Sequence, residues 1–162
     1  MAQVHKESGR IAIAVYDNGA GIPSSLRSAG YEFDGLEAAI LLALQRGVTD
    51  NRGAGNGLWV LNETVRAGRG SLEITTDGVQ YSLRYLQGEE KAAFSLRSKM
   101  PVGGTTLVDF QLKATDSISL EDIVGESGIV DLWAEAHEDA ADERDMRLSV
   151  KKESAGLGSR FD

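Results

Sequence analysis

The sequence predicts an α/β fold, a two-layer α/β sandwich with helices packed on one face of a mixed, mostly antiparallel sheet. Three observations carry that reading. Apolar alternation and helical periodicity follow one another in the order strand, helix, helix, strand, strand, strand, not as regular βαβ repeats. Asp77-Gly78 separates two alternating runs, and this pair suits a tight hairpin. The 19 glycines fall in turns and loops between the elements, so the glycine excess is punctuation and not low complexity.

Each element has its own signal. Gly9 to Tyr16 reads as a strand, with Ile11, Ile13 and Val15 on one face and small residues between them. Asp17 to Gly21 breaks it, and Pro23 is expected to keep it broken. A helix begins at Asp34, which has the capping-box spacing to Glu37. Leu36, Ile40, Ala43 and Leu44 recur at helical period, and Gly47 stops it. A second helix carries the stripe Leu58, Leu61 and Val65 and ends at Gly68 and Gly70. Strands then run over Ser71 to Thr76 and Val79 to Tyr85. Residues 87 to 103 read as a polar excursion, and Thr105 to Leu112 as the last strand.

Composition bounds the function. A chain of 162 residues can bury a sizeable core, and its length favours one domain plus attachments. Residues 1–114 form the expected domain. Residues 115–146, rich in Asp and Glu around Ile129, Leu132 and Trp133, read as an acidic linker or docking helix. Residues 147–162 read as a tail or the start of a further module. The formal charge of −8 argues against a nucleic-acid surface, which needs clustered Lys and Arg, but leaves a single nucleotide open. The absence of cysteine removes disulfides, thiolate zinc and thiol catalysis. His5 and His137, far apart and without ligand-spaced neighbours, read as surface residues, so no metal site is expected. No apolar run has the length of a membrane span and no signal-peptide core is visible, so no membrane contact and a cytoplasmic location are the default.

Two glycine-rich elements, one helix apart, carry the chemistry. Asp17-Asn-Gly-Ala-Gly-Ile-Pro23 sits where a strand ends, and Gly53-Ala-Gly-Asn-Gly-Leu58 opens a helix. Taken alone, the first is ordinary turn chemistry and the second a flexible loop. The second is neither a dinucleotide fingerprint, since a helix precedes it, nor a P-loop, since no Gly-Lys-Ser/Thr follows. A phosphate cradle without lysine would rest on backbone amides, the helix dipole and Arg52. Together the two elements suggest a nucleotide pocket, with an acidic residue for the base and a glycine loop for the phosphates.

The ordered set resembles the GHKL (Bergerat-fold) ATP-binding superfamily of gyrase-type ATPases and sensor histidine kinases. Val15 to Pro23 looks like its first glycine box, Gly53 to Leu58 like its second, and Gly103-Gly-Thr105-Thr-Leu-Val108 like its final Gly-Thr strand. The resemblance spans about residues 9 to 113 and is nearest to the histidine-kinase-like domain of bacterial stand-alone ATP-binding proteins. It implies that Asp17 accepts a hydrogen bond from the adenine amino group, as a buried carboxylate can. Thr105 or Thr106 would support it, directly or through water. Gly19 and Gly21 would let backbone approach the purine, and Gly53, Gly55 and Gly57, with Leu58, would wrap the phosphates at the helix N-terminus. Residues 24 to 52 would form a lid, and the cofactor would be ATP or ADP.

The family carries a magnesium-binding Asn, and in hydrolytic members a catalytic Glu, on a helix upstream of the first strand. About ten residues precede that strand here, too few for the helix, and Glu7 lies too near the strand to replace it. The chain thus reads as N-terminally truncated relative to the family. Little or no hydrolysis by this chain alone is expected, the role of magnesium stays open, and catalytic residues are unassigned. Residues 149–160 look similar to the opening of a STAS-like module. The expected function is an adenine-nucleotide-binding regulatory domain. The alternatives are a kinase acting on a separate protein, since no phosphoacceptor His lies on a helix pair, and a degenerate non-binding scaffold or protein-interaction fragment. The scaffold would expose apolar surface to self-association or to a protein partner.

Overall fold

A computed structural model describes residues 1–50, 55–97 and 104–113, together with 118, 119, 121 and 123. The described elements are β1 (Ala2–His5), β2 (Arg10–Asp17), α1 (Ile22–Ser28), α2 (Gly35–Ala43), α3 (Gly57–Ala67), β3 (Ser71–Thr76), β4 (Val79–Leu86), β5 (Glu89–Leu96) and β6 (Thr106–Lys113). The strands form one six-stranded sheet in the order β1-β2-β6-β3-β4-β5. The α/β class is therefore as expected, but every described strand pair is antiparallel, which corrects the mixed sheet.

The last strand, β6, inserts between β2 and β3, so residues far apart in sequence become neighbours. Cross-strand partners share a face. Ile11, Ile13 and Val15 of β2 stand opposite Leu112, Phe110 and Val108, and the last two stand opposite Leu72 and Ile74 of β3. Those two pair in turn with Leu83 and Tyr81 of β4. This is the face the helices cover. Ile40 and Leu44 from the α2 region and Val65 from α3 pack on Leu72, Ile74, Val79, Tyr81 and Leu83 to make the core. Each fully buried Leu, Ile or Val stabilises the fold by about 1.5–3 kcal/mol relative to exposure. A second cluster joins Leu26 of α1 to Ala39 and Ala43 of α2.

Three expectations change. Residues 89–96 are a strand: the Gln87-Gly88 turn, with φ of 54° and 86°, folds β5 back onto β4, as Asp77-Gly78 does between β3 and β4 with φ of 47° and 81°. Pro23 starts a helix instead of keeping the chain broken. It sits in the first turn of α1, where a missing N–H leaves no bond unmade. Asp34 is the N-cap of α2, yet its side chain makes no capping hydrogen bond, so the predicted capping box does not close. The two main helices otherwise lie where their periodicity puts them, except that α2 ends at Ala43 with Leu44 as its C-cap, short of the expected stop at Gly47; Gly68 is the C-cap of α3. The acidic stretch and the tail lie outside the described residues apart from 118, 119, 121 and 123. Among the described residues no helix is long and apolar enough to cross a membrane.

Candidate functional site

The site grows from one row of the sheet. Asp17, the last residue of β2, is the register partner of Thr106, the first residue of β6. Thr106 is also opposite Thr76, the last residue of β3. The row Asp17, Thr106, Thr76 therefore lies on the helix-covered face, at the end of the sheet where three strands terminate. Thr76 is fully buried, and its hydroxyl joins two elements. Its Oγ1 accepts from the Ile22 amide at 3.2 Å, fixing the start of α1, and from the Thr106 hydroxyl at 3.5 Å.

Glycines let these backbones close up. Gly21 has φ of 76°, and a Cβ there would stand 3.2 Å from Thr76 Oγ1 and 3.3 Å from Asp77 Oδ2. Gly104 has φ of 79°, and a Cβ there would collide with the carbonyl oxygen of Gly19. The Gly104 amide donates to Asp77 Oδ1 at 3.3 Å. The first glycine element and the Gly-Thr strand are thus pressed together beside the β3–β4 turn, and only glycine tolerates this.

Above the row is a cavity of ≈ 400 Å³, within the range of small-molecule sites. Asp17, Gly21, Ser25 and Thr106 line one part, and Thr49, Asp50, Gly55 and Gly57 another, with Ile22, Leu26, Ala43, Val48 and Leu58 as apolar wall. The loop that closes it is held by Asn56, a buried residue whose Oδ1 accepts from the Gly47 amide at 3.2 Å. Gly55 has φ of 71°, and a Cβ there would lie 2.6 Å from the Val48 carbonyl oxygen. At the N-terminus of α3, the Asn56 side chain makes no cap hydrogen bond to the helix. A Cβ at Gly57 would meet nothing within 4 Å, and Gly57 lines the cavity.

Of the nine residues expected at the site, the structure gathers Asp17, Gly21, Gly55, Gly57, Leu58 and Thr106 around this cavity. Gly19 and Thr105 do not line it. The Gly19 carbonyl lies where a Cβ on Gly104 would fall, and Thr105 is buried outside the cavity lining. Gly53 and Arg52 lie outside the described residues. Asp17 is exposed in the free chain, so the expected buried carboxylate is a group at the mouth, to be covered by whatever enters. Within the expected lid, Leu26, Ala39, Ile40 and Ala43 are buried, so α1 and α2 share the core, and Arg52 at its end lies outside the described residues.

Sequence reasoning missed Ser25, Thr49, Asp50 and Thr76. Thr76 carried only a turn signal, from Asp77-Gly78, and the others are brought to the cavity by topology alone. Among the described residues no group of three His, Cys, Asp or Glu side chains converges as a metal site. No family model matches the chain, and no curated protein matches it either.

Proposed function

We propose that this chain binds an adenine nucleotide in the cavity between β2, β6 and α3, as a regulatory domain of the GHKL type with little or no hydrolysis of its own. The observation that carries the reading is the convergence of three separately encoded elements on one cavity: Asp17, the Gly55–Leu58 turn into α3, and Thr106. The chemistry of the groups fits the ligand. A carboxylate with a threonine hydroxyl in the same row suits a purine amino group and ring nitrogen. Ile22, Leu26 and Leu58 supply apolar surface for the ring. The first turn of α3, which meets the cavity at Gly57 and Leu58, would present amides and the positive end of a helix to phosphate oxygens. The helix end would offset part of the phosphate charge, and the role of magnesium is what the titration below reads.

Calorimetric titration with ADP and ATP, with and without magnesium, tests the reading directly. Micromolar-range or tighter binding that Asp17→Asn weakens supports it. A well-folded chain that binds neither nucleotide overturns it.

A specific observation also favours the scaffold reading. On the helix side of the sheet, Val4 is 62% and Val15 55% exposed, and α1 to α3 pack over the other strands. Such uncovered apolar surface suits contact with a protein. Under this reading the chain binds a partner, or itself, with no nucleotide dependence.

A further inference from the structure

The opposite face of the sheet holds a second cleft, of ≈ 420 Å³, lined by charged side chains at the end remote from the nucleotide cavity. Arg10 and Lys113 are direct register partners across the β2–β6 ladder, and like charges so placed repel. Arg69 joins them from the α3–β3 turn, held at a φ of 46°, which non-glycine residues seldom adopt. These three cations make no ion pair or side-chain hydrogen bond among the described residues. Arg66, Arg84 and Lys91, by contrast, are all paired with glutamates. Of the two acids in the cleft, Glu73 is already engaged by Arg84 and by Gln80, which leaves Asp109 as the one carboxylate there to offset three cations.

The chain carries its own counter-charge. Residues 1–113 contain twelve acidic and twelve basic side chains, so the entire charge of −8 belongs to residues 114–162. That acidic chain begins at Lys113, inside the cleft. Ile118 lies near Gly68 and Leu112 at the α3 C-terminus, one residue along the chain from Arg69. The acidic segment thus leaves the sheet at its cleft end and would have to cross the edge to enter the cleft. We propose that the cleft is a docking site for an acidic polypeptide, and that its occupant is this chain's own segment 116–145. The segment's carboxylates would bridge Arg10, Arg69 and Lys113 and relieve their repulsion. Covalent continuity favours it over a free acidic peptide, since tethering gives an effective concentration in the millimolar range.

The absence of cysteine makes the test clean. A spin label on Ala140→Cys of the full chain should broaden the backbone amide signals of Arg10 and Arg84, which are distant in sequence, relative to the reduced label. The broadening should disappear with Arg10→Glu plus Lys113→Glu. Independently of any variant, it should also disappear in roughly 1 M salt, where charges are screened beyond about 3 Å. No broadening at Arg10 and Arg84 overturns the proposal, as does broadening that survives both salt and charge reversal. Equal broadening of an isotope-labelled chain mixed with a spin-labelled one assigns the cleft to a second copy and overturns the intramolecular occupant.

Discussion

Asp17 and Gly104 show how much of the site rests on single residues. Asp17 stands at the cavity mouth in the same row as Thr106 and Thr76, so its carboxylate faces an entering ligand without needing to move an element. A hydrogen bond to a charged group contributes about 1.5–3 kcal/mol. Asp17→Asn should therefore weaken ADP binding by roughly 10- to 150-fold while the circular dichroism spectrum and urea midpoint stay put. Gly104 works through the backbone. Its φ of 79° and the carbonyl of Gly19 leave no room for a methyl group. Gly104→Ala should cost at least about 1–2 kcal/mol of stability from the left-handed backbone alone, read as a lowered urea midpoint. It should also loosen nucleotide binding, because the same contact holds the first glycine element against β6. Gly57→Ala is the contrast: its Cβ meets nothing, so stability should hold or rise slightly as helix propensity improves. These residues were legible in sequence to different degrees. Asp17, Gly21 and Gly57 sit in local patterns that announce a turn or a helix start. Thr76, Thr49 and Asp50 do not, because only the insertion of β6 between β2 and β3 sets Thr76 beside Thr106, and only the loop before α3 brings Thr49 and Asp50 to the cavity.

At the scale of elements, legibility followed the number of turns or alternations each segment offered. α2 and α3 repeat their apolar positions over two turns or more, and β3 and β4 alternate on a half-buried face, so each was readable. β5 is an edge strand exposed at every position but Phe94, so burial never imposed an alternation on Glu89 to Leu96. α1 has only seven residues, too short for periodicity, and its proline marks a start as well as it marks a break. The burial of α2 has a measurable consequence. Ile40 on α2 is fully buried in the main core. Ile40→Ala should destabilise the chain by about 2–5 kcal/mol in urea unfolding, far more than a change in a hinged flap would. β4 carries a pH dependence of its own. Burial of Tyr81 beneath α3 raises its phenol pKa above the ordinary 10.0, with the nearby Arg66 partly opposing the shift. A group raised in the folded state contributes stability that is present below its unfolded pKa and lost as pH climbs through the folded value. Stability should thus decline above about pH 10, and Tyr81→Phe should flatten that decline in a series of urea midpoints.

For the whole molecule, the decisive feature is a sheet that is only partly roofed. The helices pack on β3, β4 and β6, while the same face of β1 and β2 shows Val4 and Val15 to the surroundings. Sequence patterning put Val15 on one apolar face with Ile11 and Ile13, and such alternation reports which side of a strand is apolar and not whether anything covers it. Replacing both valines by threonine separates the two conditions, since threonine keeps the branched β-carbon that strands favour and removes only the apolar surface. If the strip is bare in solution, Val4→Thr with Val15→Thr should change stability by no more than about 0.5 kcal/mol and should reduce binding of a hydrophobic dye. A strip covered by a partner copy behaves in the opposite way: the wild-type chain binds little dye at high concentration, more on dilution, and the double variant loses its concentration-dependent stability. The free chain should follow the first course, because exposure above one half at both valines leaves little burial for threonine to undo. A stability loss of about 2 kcal/mol or more would place these valines in a buried interface. It would make association through this face, with the nucleotide cavity opening beside it at Asp17, the working state of the protein.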